Sequence, residues 1–391
     1  MDHSPNSSDH PMVAQAADFA AEFIAPNAAE WERQGGLPKD GILAAAKAGL
    51  CGMLLPKGAG GQGMTKTAMA RVMEEISKAD MAYAFVMIVH NNFMNAIQDA
   101  GTPAQKERYL PAMLSGDCLT VFLLTEAQSG SDAANMTTTA RREGDEWVIN
   151  GAKVWVSNGA TAGLLSVYAQ TDATLGWRGI ASFIIEADHP GVIREAPYAM
   201  MGARAMGVAS FRFEDCRVGD DAVLLAPGAG FKGAMAGIDL ARANVAAMCC
   251  GIMANSLDVA LAYSAGRRAF GQRVVDFQGL QWQLADVATD LHAARLMAYD
   301  ALVAIDAGEP AAIAAAHAKK FAARAALKGV ADCMQAMGAN GFKHDYPLAR
   351  HLSCAKMANY IDGTTEIQNV VIARHLLRPF DEDAPAAKEK P

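Results

Sequence analysis

Residues 143–151 read EGDEWVING, and this stretch decides how the chain divides into domains. Turn-forming pairs, Gly144-Asp145 and Asn150-Gly151, stand on either side of the apolar segment 147–149. Glycine and asparagine enter the left-handed backbone region at little cost, which makes such pairs typical of tight hairpin turns. The stretch therefore predicts a three-strand antiparallel meander, with strands over residues 136–142, 146–149 and 152–157.

The apolar pattern on either side of this stretch sets the architecture. Runs with a period of two continue at residues 164–169, 180–186, 209–214 and 222–225. Helical periodicity occupies residues 12–29, 38–49, 65–79, 80–98 and 102–114 before the strands, and 231–268, 278–306, 310–337 and 365–377 after them. We therefore predict an α+β fold with an N-terminal α-helical domain (1–117), a middle antiparallel β-domain (118–228), a C-terminal four-helix bundle (229–380) and a loose tail (381–391).

The composition limits the kinds of partner and compartment. Hydrophobic residues make up 52% of the 391 residues, which excludes a disordered chain. The net charge is −8 with no basic cluster, so we expect no nucleic-acid partner. The seven cysteines form no CxxC pair and have no histidine at ligand spacing, so we expect reduced thiols and no metal site. The sequence shows neither a signal peptide nor a run of 18 apolar residues, so we expect a cytoplasmic protein that does not enter a membrane.

Two segments of the predicted β-domain suit a flat, polar ligand. Residues 125–132 read TEAQSGSD, a loop rich in hydroxyls and backbone donors that suits a heterocycle or a phosphate. Trp155 and Ser157 share one face of a strand, where an indole stacks on a ring and a hydroxyl bonds to it. An ordinary polar loop and a half-buried core tryptophan explain the same residues, so both interpretations are open at this point.

The predicted bundle contains three further candidates. Residues 267–278 combine arginine, aromatic rings, a glycine turn and an amide, which suits a diphosphate or an exposed helix end. Residues 335–341 read QAMGANG, a helix end that admits a close ligand or simply forms a C-cap. Asp239 and Arg242 open the first long helix and suit either an anionic ligand or plain solvation.

Near the C-terminus, residues 360–369 read YIDGTTEIQN. Thr365 and Gln368 have the three-residue spacing of a helix capping pair, so we expect a helix to begin at Thr365. Asp362 then lies on the glycine-containing turn before that helix. Taken alone, its carboxylate is either an ordinary surface group or an acid that the turn directs at a ligand.

Together, in this order and spacing, the motifs resemble one family, the acyl-CoA dehydrogenases. The resemblance extends over residues 12–378 and includes the helix–sheet–helix order. The segments that carry it are 125–132, 155–159, 267–271 with 277–278, 335–341 and 361–368.

The resemblance implies an FAD site between the β-domain and the bundle. Positions that match those lining the flavin ring are Phe122, Leu124, Thr125, Trp155 and Ser157, and Ser131 matches one that contacts both flavin and substrate. Positions that match those holding the ADP half of FAD from a neighbouring subunit are Arg267, Phe270, Gln278, Gln335, Met337, Gly338 and Ala339. Thr364 and Glu366 match further cofactor positions, although Glu366 also suits a helix cap or solvent. The matched substrate positions are Asp239, Arg242 and Gly363, besides Ser131.

The resemblance also implies a reaction. A carboxylate removes the α-proton of an acyl-CoA thioester, flavin N5 takes the β-hydride, and the electrons pass to an electron-transferring flavoprotein. Asp362 matches the position of the catalytic base. The family also has an alternative position for this base, which is Ala241 here and cannot serve. A homodimer, or more specifically a dimer of dimers, is implied by the cross-subunit cofactor positions.

One departure from the family pattern leaves the activity open. The family usually has glutamate at position 362, and aspartate is shorter by one methylene, about 1.5 Å. Our first hypothesis is a dehydrogenase whose substrate is branched, cyclic or otherwise displaced toward Asp362. A flavin oxidase or monooxygenase of the same superfamily, such as a nitroalkane oxidase, is the second. A flavin-binding protein without efficient turnover is the third.

Overall fold

The computed structural model describes residues 10–380. The predicted tail at 381–391 lies outside the described residues, as do the first nine residues of the N-terminal segment. Within the described part, helices precede a single large sheet and further helices follow it. The predicted α+β class and its helix–sheet–helix order are confirmed.

Six α-helices form the N-terminal part, one more than predicted, because the segment predicted as one helix over residues 12–29 is interrupted. They are α1 (Pro11–Phe19), α2 (Ala25–Gln34), α3 (Lys39–Lys47), α4 (Lys66–Ala79), α5 (Met81–Ala100) and α6 (Pro103–Leu114). A π-helical turn, Ala20–Ile24, joins α1 to α2. At the start of α6, Thr102 and Gln105 form a reciprocal capping box.

The middle of the chain forms an eight-stranded sheet. Its strands are β1 (Thr120–Leu123), β2 (Thr139–Glu143), β3 (Glu146–Val156), β4 (Leu164–Gln170), β5 (Ile180–Glu186), β6 (Val192–Arg194), β7 (Ala209–Gly219) and β8 (Val223–Leu225). The strand order is β6-β7-β3-β2-β4-β5-β8, and β1 pairs with β4. The pairings of β1 with β4 and of β2 with β4 are parallel, so the sheet is mixed and the prediction of a purely antiparallel domain is wrong in this respect.

The predicted three-strand meander is half correct. Residues 143–146 form the hairpin between β2 and β3, but Asn150-Gly151 is an irregularity inside β3 rather than a second turn. The Asn150 side chain donates to Asp215 Oδ1 at 3.2 Å and accepts from the Asp215 amide at 2.9 Å. Gly151 has φ 146° and passes so close to Thr138 that an added Cβ would lie 2.5 Å from its hydroxyl oxygen. The glycine therefore permits a β-bulge, and β3 continues beyond it.

The C-terminal part is a bundle with more helices than predicted. It contains α7 (Gly230–Ala236), α8 (Ile238–Gly266), α9 (Gln278–Asp306), α10 (Ala312–Ala336), α11 (Leu348–Met357) and α12 (Thr365–Leu377), and a short hairpin of β9 (Arg268–Ala269) and β10 (Gln272–Arg273) joins α8 to α9. Helix α10 packs against α8, α9, α11 and α12. Helix α11 is absent from the sequence prediction, which has four helices here.

One apolar core joins the two helical parts of the chain. Met69 and Met73 of α4 belong to the same buried cluster as Met248 and Ile252 of α8, whereas the sheet encloses a core of its own. The segment Gly230–Gly266 is long and apolar enough to cross a membrane by length and composition, but 72% of its apolar window is buried inside the protein. Its hydrophobicity is accounted for by this shared core.

Candidate active site

Asp362 lies on a tight reversal between α11 and α12. Asp362 has φ 50° and Gly363 has φ 90°, so two successive residues occupy the left-handed region. The Thr364 hydroxyl accepts from the Ile367 amide at 3.3 Å and is the true N-cap of α12. The predicted cap, Thr365, instead donates its hydroxyl to the Asn359 side chain at 3.1 Å. The helix thus begins where the sequence predicts, but its capping residue lies one position earlier.

The carbonyl of Gly363 is held by two buried donors from different helices. Lys319 Nζ, from α10, donates to it at 2.7 Å, and Gln368 Nε2, from α12, donates at 3.0 Å. Both side chains are fully buried. Thr365 and Gln368 were expected to form a capping pair, and that prediction is wrong because the Gln368 amide donates to the Gly363 carbonyl instead. A Cβ added at Gly363 would lie 3.6 Å from Arg242 Nη2, so α8 also lies against the turn.

The charges around Asp362 form a compact group. Burial raises the pKa of the Asp362 carboxyl to about 6, although the positive charges of Lys319 and Arg242 act in the opposite direction. Burial lowers the pKa of the Lys319 ammonium to about 8, and the Asp362 carboxylate opposes that effect. The carboxyl therefore changes protonation near neutral pH, as expected of a group that accepts a proton during catalysis.

Lys319 is a site residue that the sequence analysis missed. It follows Ala315 and Ala316 and precedes Ala322 and Ala323 at helical spacing, and all four alanines are fully buried. That spacing places Lys319 on the buried face of α10, whereas its neighbour Lys320 lies off that face. The apolar periodicity was a usable signal that one lysine of this pair enters the interior.

The start of α8 supplies the predicted substrate-side residues. Arg242 Nη1 donates to Asp239 Oδ1 at 3.2 Å. Arg242 is buried, and its Nε has no hydrogen-bond partner among the described residues. Ala241, which the resemblance places at an alternative base position, is also buried. Arg242 is thus a cation held beside the Gly363 turn with a donor still available.

On the sheet side, two of the predicted flavin-lining residues, Phe122 and Trp155, lie on strands and are exposed. Phe122 is the exposed residue of β1 and its ring lies 4.8 Å from that of Tyr168. Trp155, at the end of β3, has φ 58° and is 62% exposed, with its ring 4.6 Å from that of Tyr198. Tyr198 packs against the same helical core as Ile361, the residue before Asp362. An exposed indole on a strained backbone fits a surface that a planar ring would cover.

The remaining predicted residues on this side differ in accessibility. Leu124 is buried in a small cluster beside β4, Thr125 and Ser157 are half-buried, and Ser131 is exposed on the loop that follows. The structure therefore leaves the hydroxyls of Thr125, Ser131 and Ser157 within reach of a ligand. Their roles stay predictions.

A buried ion pair links the loop at residues 125–132 to strand β3. Lys153 Nζ donates to Glu126 Oε1 at 2.8 Å and to the Leu124 carbonyl at 3.1 Å, and both charged side chains are buried. Glu126 also accepts from the amides of Thr137 and Thr138. Burial would raise the pKa of Glu126, but the charge and hydrogen bond of Lys153 and these further hydrogen bonds lower it to about 2. Glu126 lies in the quoted segment 125–132 and Lys153 lies two residues before Trp155, but the sequence did not indicate that they pair.

The residues predicted to hold the ADP half lie on the outer surface of the bundle. Arg267, Gln278, Gln335, Gly338 and Ala339 are exposed. Phe270 is 96% exposed and has φ 50°. Met337 is the exception, because it is buried with Leu284 and Leu348 and has almost no accessible surface. A protruding phenyl ring beside an arginine fits contact with a group outside this chain, as the cross-subunit prediction requires.

Two more predicted positions flank Asp362. The Thr364 hydroxyl is engaged as the helix cap, and Glu366 is exposed in the first turn of α12. Within residues 10–380, no group of three or more His, Cys, Asp or Glu residues is arranged to bind a metal ion.

Comparison with known proteins gives the family. Three domain models match successive parts of the chain: the acyl-CoA dehydrogenase N-terminal domain (residues 7–117), middle domain (121–216) and C-terminal domain (228–377). Human mitochondrial short-chain specific acyl-CoA dehydrogenase is 36% identical over 373 residues, 95% of this chain and 90% of its own length.

Solved structures agree with the family models. Butyryl-CoA dehydrogenase from Megasphaera elsdenii superposes with a TM-score of 0.91 at 32% identity, covering 96% of this chain and all of its own. A chain from the structure described as the electron transferring flavoprotein of Acidaminococcus fermentans superposes with a TM-score of 0.92 at 34% identity, covering 97% of this chain and all of its own. The chain therefore belongs to the acyl-CoA dehydrogenase family of flavoprotein oxidoreductases.

Proposed function

We propose that this protein is an FAD-dependent dehydrogenase that converts an acyl-CoA thioester to the α,β-unsaturated thioester, with Asp362 as the base. The observation that carries the proposal is the environment of the Asp362 carboxyl and the pKa that results from it. Its carboxyl is half-buried on a strained turn beside two cations, and burial raises its pKa to about 6. A general base works best when its pKa lies near the operating pH, because it is then both ionised and basic.

The role of Asp362 in the reaction is proton transfer. Its carboxylate oxygen takes the proton from the α-carbon as negative charge develops on the thioester carbonyl. Exclusion of water keeps the carboxylate poorly solvated, which increases its strength as a base. Ala241 offers no competing carboxylate at the alternative position.

The cofactor positions follow the family and the accessible surfaces described above. Phe122, Trp155 and the hydroxyls of Thr125 and Ser157 would hold the flavin ring, and Arg267 and Phe270 would hold the ADP half of an FAD bound to a neighbouring subunit. Bound FAD supplies the hydride acceptor. This arrangement supports a homo-oligomer, for which we propose a dimer of dimers.

Two names among the similar proteins suggest the substrate and the electron acceptor. One relative is described as short-chain specific and one similar structure as a butyryl-CoA dehydrogenase. We therefore propose a short acyl-CoA as substrate, with a branched or otherwise displaced α-carbon that suits the shorter base. A similar chain belongs to a structure named for an electron transferring flavoprotein, which supports such a protein as acceptor.

An anaerobic titration tests the proposal. The purified protein should be yellow, and addition of a short acyl-CoA should bleach the flavin. Asp362→Asn should slow bleaching by roughly 100- to 10,000-fold, the usual contribution of a general base, while flavin stays bound. Asp345→Asn, at an exposed aspartate in the loop before α11, is the matched control and should bleach normally.

Two outcomes would overturn the proposal. Rapid bleaching of the Asp362→Asn variant would remove Asp362 from the mechanism. Bleaching by a nitroalkane but by none of a series of linear, branched and cyclic acyl-CoAs would assign the chain to oxidase chemistry instead.

A further inference from the structure

We propose that Lys319 is a positioning residue for the catalytic base: together with Gln368 it clamps the Gly363 carbonyl and thereby sets the direction of the Asp362 carboxylate. The inference deepens the proposed function and rests on it. It assigns a task in the reaction to a buried lysine and a buried amide on two helices that flank the turn.

Lys319 contacts the turn through a hydrogen bond and through its charge. Its ammonium is fully buried and donates to the Gly363 carbonyl at 2.7 Å. Burial of an ammonium costs several kcal/mol unless it meets a counter-charge and acceptors. Asp362 is the carboxylate whose charge acts most strongly on it. The cost of burying this lysine is therefore offset at the turn that carries the proposed base.

Gln368 completes the clamp from the other side. Its amide donates to the Gly363 carbonyl at 3.0 Å and, more weakly, to the Thr364 carbonyl at 3.4 Å. Its own Oε1 has no hydrogen-bond partner among the described residues. An unpaired buried oxygen is costly. The Gln368 side chain is therefore placed to bond to the Gly363 carbonyl, although its own oxygen is left without a partner.

The backbone of the turn needs such support. A non-glycine residue in the left-handed region costs about 1 kcal/mol or more and persists only where the surroundings hold it. Asp362 and Gly363 both have positive φ. The Gly363 carbonyl belongs to the peptide bond that connects them to Thr364, the N-cap of α12. Two donors on that one carbonyl fix the plane of the peptide that follows Gly363, and with it the path of the turn.

The charges that act on Asp362 come from two helices. Lys319 faces it from α10 and Arg242 from α8, where Arg242 is itself paired with Asp239. The charges of Glu366 (α12) and of the Cys249 thiol (α8) affect the pKa of Lys319, not that of Asp362 directly. Loss of the Lys319 charge leaves Arg242 as the remaining cation, so the pKa of Asp362 should rise above its present value of about 6. Loss of the neutral Gln368 amide should not change that pKa in the same way.

The test compares pH profiles of kcat/KM in flavin-loaded variants. Lys319→Met removes donor and charge, so its acid limb should move to higher pH by about one unit or more. Its plateau should fall by roughly 10- to 100-fold through misplacement of the base, with KM little changed. Gln368→Leu should lower the plateau without moving the limb. Lys328→Met, at an exposed lysine of the same helix α10, is the matched control and should change neither quantity.

A second variant keeps the test valid if Lys319→Met does not fold. Lys319→Gln retains a donor without the charge, so it should move the limb while recovering part of the plateau. The inference would be overturned if the Lys319 variants fold and bind flavin but their pH profiles of kcat/KM keep the wild-type acid limb and plateau. If Asp362→Asn itself retains activity, the proposed function fails instead, and the two failures are thereby distinguished.

Discussion

Aspartate is the shorter of the two acidic residues, and the surroundings of Asp362 determine in which protonation state its carboxyl is found. Burial raises the pKa of Asp362, and only part of that effect is offset by Lys319 and Arg242. The folded protein therefore holds a base that is ionised above about pH 6 and protonated below it. The position of the pKa, rather than the length of the side chain alone, sets the conditions in which the residue acts.

The pH dependence of turnover should report this pKa. Since only the ionised form accepts a proton, kcat/KM should be constant above about pH 7 and fall about tenfold per unit below a midpoint near 6. Measurement with two acyl-CoAs of different kcat should give the same midpoint, because kcat/KM reports the free enzyme. A midpoint near 4 would contradict a buried Asp362 base.

Site residues differed in how well the sequence predicted them. Asp362 could be proposed from the sequence because it lies within a motif of local spacing, and Trp155 because its strand pattern and its neighbours are local as well. Lys319 and Gln368 were missed as clamp residues because their acceptor is a backbone carbonyl, which the identity of Gly363 does not reveal. The Glu126–Lys153 pair was missed because 27 residues separate its members in the sequence.

The buried pair of Glu126 and Lys153 should be important for stability. Lys153→Met leaves the Glu126 carboxylate buried without its cation, so the free energy of unfolding should fall by about 3–5 kcal/mol. Arg212→Met, which breaks an exposed pair with Glu195, is the matched control and should cost less than about 1 kcal/mol. Chemical denaturation at a fixed protein concentration measures both. Equal losses would show that Lys153 contributes no more than a surface charge.

At the scale of elements, several boundaries depend on distant partners. Asn150-Gly151 has the composition of a hairpin turn, and it forms a bulge because Asp215 of β7, 65 residues away, satisfies the Asn150 amide. Helix α11 is ten residues long with a single strongly apolar buried residue, Leu348, so its periodicity is weak. Long helices with many apolar turns were predicted to within a few residues, because their pattern is repeated often enough to outweigh local ambiguity.

One contact between elements offers a clean test of how the two helical parts are joined. The Asp306 carboxylate, at the end of α9, accepts from the amides of Lys66 and Thr67 at 2.8 and 2.9 Å and so caps α4. Asp306→Ala should lower the free energy of unfolding by about 1 kcal/mol, the usual loss for a capping carboxylate. Asp300→Ala, one to two turns earlier on an exposed face of α9, should have little effect. Equal stability of both variants in urea unfolding would show that the cap is dispensable.

At the scale of the whole molecule, the bundle exposes apolar side chains that a monomer would not be expected to leave in water. Phe270, Phe342 and Trp282 all lie well exposed on this part of the chain, together with Leu376 and Leu377 at the end of α12. Exposed large apolar side chains are common at protein–protein interfaces. Their placement supports the proposed homo-oligomer.

Loss of the Phe270 ring should weaken both cofactor retention and assembly. Phe270→Ala should release flavin on dilution more readily than wild type and shift the assembly toward smaller species in light scattering coupled to size exclusion. Leu175→Ala, at an exposed apolar residue of the middle domain, is the matched control and should change neither property. Unchanged flavin content and mass in the Phe270 variant would remove this residue from the cross-subunit site.

The left-handed residues have a consequence for how this chain can evolve. Trp155, Phe270 and Asp362 are three of the non-glycine residues with positive φ, and all three are proposed to serve the reaction or its cofactor. Glycine at any of them would relax the backbone by about 1–2 kcal/mol. Selection for stability and selection for activity therefore act in opposite directions at these positions. A homologue that is no longer under selection for activity would be expected to acquire glycine at these positions first. Glycine at all three positions in a homologous protein would therefore indicate that the activity has been lost.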